Sequence, residues 1–205
     1  MSLEKAQSIL RRSGLTTRLT ILQVERIAEF LALRLDWHRT HNLMGPKAAD
    51  RPWEIDVCDA VALLEVYDPD LPLYDVGSGS GVPGLILALL CPDIDVRLVE
   101  PISKRAAFLK TAIHRLNLDG VSVERTRWPV ATIEECQVVS RAVVSPETWP
   151  RLACSGPEVT RIYRYLALNR PPFGEPGFVL ERSCDYRRSD VDSLRLEQWV
   201  RRRSN

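Results

Sequence analysis

The stretch Leu73 to Gly84, LYDVGSGSGVPG, limits what this chain can fold into more than any other segment. A short apolar approach carrying Asp75 leads into glycines at the alternate positions Gly77, Gly79 and Gly81. Pro83-Gly84 then precedes the apolar run LILALL. That order is the pattern of a strand, a tight turn and a helix N-terminus. Glycines let the turn adopt backbone angles closed to other residues, and a ligand can approach the main chain without meeting a Cβ atom. The N–H groups exposed at such a turn attract polar and anionic groups, so the segment reads as a loop for a nucleotide-type cofactor.

The remainder of the chain supplies the frame for such a loop. Before it, Leu3, Ala6, Ile9 and Leu10 have helical spacing up to Ser13-Gly14. Thr20-x-x-Gln23 opens a second helix as a capping box, with Val24, Ile27, Ala28, Leu31 and Leu35 forming its apolar stripe. Asn42-Leu43-Met44-Gly45-Pro46 breaks it, and a further helical run covers about Trp53 to Val66. From Leu73 short apolar runs alternate with helices: LYDV, VRLVE at Val96, VSVE at Val121 and VVSRAVV at Val138. This βαβ rhythm predicts a mostly parallel, Rossmann-like α/β sheet with right-handed crossovers. Tyr163 to Leu168 and Phe178 to Leu180 are expected as strands, with a Pro- and Gly-rich loop over Asn169 to Gly177, and Ser193 to Val200 reads as a closing strand or a short helix. The organisation expected is a helical extension over residues 1–70 packed on a core over 71–205.

Composition narrows the class of partner. The chain has 205 residues and a formal net charge of +1, so attraction to nucleic acid has to come from local basic patches, and the trio Arg201, Arg202 and Arg203 reads as a solvated tail before a phosphate contact. Five widely spaced cysteines without a C-x-x-C pair argue for reduced thiols in a cytoplasm, against a disulfide framework or a zinc site. His38 and His41 are spaced as two metal ligands could be, but no third ligand is apparent nearby. No apolar run is long enough to span a bilayer, and a soluble monomer is expected.

Two cofactor classes compete for the glycine loop. Gly79-Ser80-Gly81-Val82-Pro83-Gly84 matches the dinucleotide pattern G-x-G-x-x-G, which would suit an oxidoreductase. The register disfavours it, because Gly77 is the first glycine after the strand and Asp75 precedes it by two. Asp75-x-Gly77-x-Gly79-x-Gly81 resembles instead the loop of class I S-adenosylmethionine-dependent methyltransferases. There the loop wraps the amino-acid part of the cofactor and the acidic residue helps hold its amino end. Glu100 ends the next strand, where a carboxylate accepts both hydroxyl protons of a ribose in either class.

Asn42-Leu43-Met44, Asp59, the loop from Asp75 to Gly84, Lys104-Arg105-x-x-Phe108-Leu109, Arg127 and Ser140-Arg141-Ala142 occur in the order and approximate spacing of the RsmG (GidB) family. The chain resembles that family over nearly its whole length. The resemblance implies methylation of N7 of a guanine in small-subunit ribosomal RNA, with S-adenosylmethionine as cofactor and rRNA or a ribosomal particle as partner. It implies that Gly77, Ser78, Gly79, Gly81, Val82, Pro83 and the backbone at Trp128 and Pro129 form the cofactor site, with Glu100 at the ribose. Arg141 is then expected at the mouth of the site, between cofactor and substrate. Asn42, Asp59, Lys104, Arg105 and Arg127 are the expected substrate-side residues.

Several positions depart from the family. Asp56-Val57-Cys58-Asp59-Ala60 stands where His-x-Leu-Asp-Ser is usual, Trp128-Pro129-Val130 where a small residue and a carboxylate pair follow the arginine, and Asn169-Arg170 where lysine and glycine are usual. These changes fall on the acceptor side and keep three alternatives open: a small-molecule acceptor, another RNA, or a non-catalytic RNA- or nucleotide-binding relative. None of them removes the chemistry. Guanine N7 carries a free lone pair, so methyl transfer needs alignment and no general base, and no Ser-His-Asp triad is expected.

Overall fold

A computed structural model describes residues 1–131, 134–141, 143–156, 158–170 and 176–202. Among the described residues seven strands form one sheet: β1 Leu73–Val76, β2 Val96–Val99, β3 Val121–Glu124, β4 Cys136–Ser140, β5 Val159–Ala167, β6 Phe178–Arg187 and β7 Ser193–Arg201. Their order is β3-β2-β1-β4-β5-β7-β6. The first five are parallel, and β7 lies antiparallel between β5 and β6. The chain runs outward from β1 to β2 and β3, then returns to place β4 on the other side of β1. A crevice opens at the C-terminal ends of the strands where the order reverses, and the glycine loop leaves β1 there.

The helices are α1 Leu3–Arg12, α2 Ile21–His41, α3 Pro46–Asp50, α4 Cys58–Leu64, α5 Gly84–Leu90, α6 Ser103–Leu116 and α7 Trp149–Ala153. The capping box that opens α2 is formed: Gln23 N–H donates to Thr20 Oγ1 at 3.2 Å and Thr20 N–H to Gln23 Oε1 at 2.9 Å. Asn42 ends α2 in the left-handed conformation, φ 51°. The helical run expected from Trp53 is a π-helical turn, Trp53–Val57, continuing into α4. The short helices α3 and α7 were beyond the reach of periodicity, since five residues span barely more than one turn.

β1 is buried along its whole length, as a central parallel strand covered on both faces should be. On one face α1, α2, α4, α5 and α6 pack into one apolar cluster in which Ile27, Phe30, Leu85 and Phe108 are fully buried. The N-terminal helices therefore join the core of the sheet and do not form one of their own. The other face is covered by Trp149, Trp128 and Trp199 against Tyr74, Val138 and Ile162. Two expectations shift. The α2 stripe turns inward at Arg34, 1% exposed, while Leu35 is 38% exposed. β4 ends at Ser140, short of the full VVSRAVV run. Ala142, part of the 169–177 loop (171–175) and Arg203 lie outside the described residues.

Candidate functional site

The glycine loop follows β1 with Gly77, Gly79 and Gly81 at φ 71°, 57° and 85°. L side chains rarely adopt these angles, so the alternate glycines are a backbone requirement. Gly84 has another reason: a Cβ there would lie 2.6 Å from Leu98 Cδ2 and 2.8 Å from Asp75 Oδ2, so its absence lets α5 start against the sheet.

Four short hydrogen bonds shape the loop. Ser78 Oγ donates to Asp75 O at 2.6 Å, and Gly84 N–H donates to Asp75 Oδ2 at 3.0 Å. Glu100, 2% exposed, accepts Gly79 N–H on Oε2 at 2.9 Å and Ile102 N–H on Oε1 at 2.8 Å. Each oxygen keeps a lone pair, so the carboxylate is oriented by the protein and still able to accept from a ligand.

A cleft of about 670 Å³ lies over the loop. Its floor is Gly77, Ser78, Gly79 and Val82, with Glu100 at one end. Trp128, Arg105 and Arg127 line it from the β2 and β3 side, and Arg141 from the end of β4. Leu43 and Met44, which follow the left-handed Asn42, close it from the α2 side. Asp75 Oδ1 is buried without a hydrogen-bond partner among the described residues. Burial holds this carboxyl up to about 7, although Gly84 N–H and the Arg141 charge pull it down. Asp75 lies behind the cleft lining, where it positions the loop through Gly84 N–H, and the acceptor pair on Glu100 fits a ligand with vicinal hydroxyls. S-adenosylmethionine carries such a ribose.

Arg141 is held from behind. Its Nη1 lies 2.5 Å from Asp56 Oδ1 and 3.0 Å from Asp59 Oδ2. Asp56 also pairs with Arg34 of α2, and Asp59 with Arg188 at the end of β6 and with the Tyr186 hydroxyl at 2.5 Å. Burial by itself would lower the Arg141 pKa, but Asp59 and Asp56 outweigh it and raise it. At Arg34 burial wins and lowers it, offset only in part by Asp56.

The cleft thus brings together nine of the residues singled out from sequence: Gly77, Ser78, Gly79, Val82, Glu100, Arg105, Arg127, Trp128 and Arg141. Asp75, Gly81 and Pro83 are buried outside the lining, and Asn42, Lys104 and Pro129 are exposed outside it. Asp59 is corrected from a substrate contact to a support for Arg141, because its side chain is 0% exposed and already accepts from three partners. Trp128 is both wall and core: it is 8% exposed, and its Nε1 donates to Leu152 O at 3.0 Å. Sequence reading missed Asp56, Arg34, Arg188 and Tyr186. The signals were an arginine three residues after Leu31 on the packed face of α2, and the i, i+3 pair Asp56 and Asp59.

Among the described residues, no group of three or more His, Cys, Asp or Glu side chains is placed to hold a metal ion. His38 Nδ1 faces Met44 N–H at 3.3 Å, and the Nδ1 of His41 lies 2.6 Å from Thr40 Oγ1. None of the five cysteines is in a disulfide. No helix among the described residues is long and apolar enough to cross a membrane.

Comparison with known proteins gives the family. Residues 23–154 match the family model described as GidB, rRNA small subunit methyltransferase G. The Ribosomal RNA small subunit methyltransferase G of Wolinella succinogenes is 38% identical over 131 residues, which are 63% of this chain and 67% of that protein. The protein of the same name from Acidothermus cellulolyticus is 41% identical over 101 residues, 49% of this chain and 46% of that protein. The chain therefore spans about two-thirds of the first relative and about half of the second. Among solved structures, P. horikoshii TYW2 in complex with MeSAdo has a TM-score of 0.56 at 19% identity, covering 79% of this chain and 65% of that chain, which shows a shared fold. With a family model matching residues 23–154, this chain belongs to the rRNA small subunit methyltransferase G family of S-adenosylmethionine-dependent methyltransferases.

Proposed function

We propose that this protein transfers the methyl group of S-adenosylmethionine to N7 of a guanine in small-subunit rRNA, acting as a cytoplasmic monomer. Family membership supports the reaction, and one observation supports the cofactor's pose: Glu100 is buried with both oxygens steered by Gly79 and Ile102 N–H groups. That carboxylate accepts the ribose hydroxyls, as the equivalent strand-end acid does in other nucleoside sites. Asp75 helps hold the ammonium end through a bridging water or the loop backbone it positions. When bound, the cofactor supplies a sulfonium-activated methyl group.

The protein's part is alignment. N7 needs no deprotonation, so the side chains hold the donor, exclude water and orient the base. Arg141 stands where cofactor and acceptor meet, and its two aspartate partners keep its guanidinium from collapsing onto the donor.

Tritiated methyl transfer to naked rRNA, isolated small subunits and bulk small molecules tests the proposal. Incorporation into RNA, mapped to 7-methylguanosine by mass spectrometry, is the expected result. Incorporation into small molecules alone would move the acceptor to a metabolite. Cofactor binding without incorporation into any substrate would identify a non-catalytic relative.

A further inference from the structure

Three cavities at the C-terminal edge of the sheet are linked by shared arginines. The cofactor cleft shares Arg141 with a second cavity of about 570 Å³, and that cavity shares Arg188 with a third of about 320 Å³. Both arginines are clamped by the same buried carboxylate, Asp59.

The second cavity suits a flat, polar-edged ring. It lies among the ends of β4, β5 and β6, with Trp149, Pro146 and Leu166 as apolar walls. Its volume falls in the usual range for small-ligand sites. Ser140 Oγ and Trp149 Nε1 are already donating, to Val76 O at 2.9 Å and Tyr163 O at 2.7 Å. Arg141 uses only Nη1 on the two aspartates, leaving its other N–H donors for a ligand. Guanine presents O6 as an acceptor beside N7, and an arginine donor is its commonest side-chain partner.

The third cavity is basic. Arg12, Arg51, Arg187 and Arg188 line it, against Glu54 and Asp190. Arg51 Nη2 donates to Arg188 O at 3.2 Å. The exposed guanidiniums of Arg12 and Arg187 make no hydrogen bond or ion pair among the described residues. In a chain of net charge +1 this is a local concentration of positive charge, the form an RNA footprint must take here.

We infer that the second cavity receives the acceptor nucleobase and the third binds backbone phosphates of the same RNA strand. The strand then enters over α1 and the end of β6, and Arg188 and Arg141 mark its path to the methyl donor. This rests on the RNA reading of the acceptor given above.

The test compares wild type with R12A/R187A, with a charge-matched control, R18A/R115A, and with A167W, which fills the second cavity from its exposed rim. For R12A/R187A the KM for small subunits should rise about tenfold, with kcat and S-adenosylmethionine affinity unchanged. The slope of log affinity for single-stranded rRNA against log salt should shrink by about 1.4, at about 0.7 for each phosphate that is no longer neutralised. The control should match wild type. A167W should lose methyl transfer at least tenfold while binding S-adenosylmethionine normally. An R12A/R187A variant indistinguishable from the control overturns the phosphate assignment, and a fully active A167W overturns the nucleobase assignment. Lost affinity for the assembled subunit with unchanged affinity for naked rRNA would give the third cavity to a protein partner and overturn its RNA role. Failure of the functional reading looks different: wild type itself would bind cofactor yet neither bind nor methylate any RNA.

Discussion

Arg141 is anchored to Asp59 through Nη1 and Oδ2, 3.0 Å apart, and the same carboxylate holds Arg188 and the Tyr186 hydroxyl. A loop residue at the end of β4 is thereby fixed by a helix and by the far strand β6. Removing one partner from a buried charge cluster leaves the others uncompensated, which costs more than the cluster contributes while intact.

Asp59→Asn should therefore destabilise the fold by roughly 3–5 kcal/mol, the usual loss on breaking a buried ion pair. The urea midpoint should fall with m unchanged. Activity of the folded fraction should fall mainly in kcat, because Arg141 loses its orientation while the cofactor floor stays intact.

Glu100→Gln keeps the shape but exchanges one acceptor oxygen for a donor group. Hydrogen bonds to charged groups contribute about 1.5–3 kcal/mol, so S-adenosylmethionine affinity should drop about tenfold to a hundredfold. Isothermal titration calorimetry reads this directly. Unchanged affinity would remove Glu100 from the ribose site.

Gly84→Ala puts a methyl group against Leu98 Cδ2 and Asp75 Oδ2, where a Cβ would stand 2.6 and 2.8 Å away. Overpacking of this kind costs about 1–3 kcal/mol. A lower melting temperature is expected, together with weaker cofactor binding, because the clash displaces the carboxylate that shapes the loop.

Cofactor binding should depend on pH through Asp75. Its carboxyl is held up to about 7 from an ordinary 3.8, first by burial, so the folded state keeps a proton there that the unfolded chain has released. The stability linked to that proton is fully present below about pH 4 and is lost as pH rises through 7. An ammonium group favours the ionised carboxylate, so S-adenosylmethionine affinity should rise between pH 6 and pH 8. Asp75→Asn should flatten that rise. Calorimetry at the two pH values checks both, and an equal slope in the variant would place the titrating group elsewhere.

Much of this protein was determined locally, and local features are legible in a sequence. The β1 loop needs glycine at 77, 79 and 81 because its backbone turns through positive φ, and a strand-end acid at Glu100 follows from the βαβ period. The capping box at Thr20 and the parallel strands β1 to β3 are set by neighbouring residues and by alternating apolar runs. The support of Arg141 is of another kind. Asp56, Asp59, Arg34, Arg141 and Arg188 come from α2, the π-helical turn, α4 and the ends of β4 and β6, and pair across separations of 22 to 129 residues. No periodicity encodes such pairs, because burial alone selects which charges must meet. Asp59 thus read as a substrate contact until the tertiary structure enclosed it, and Arg34 carried no signal of its partner until α2 packed on α5 and α6. The glycine loop announced a nucleotide-type cofactor site on its own, whereas the acceptor side exists only once the strand ends are brought together.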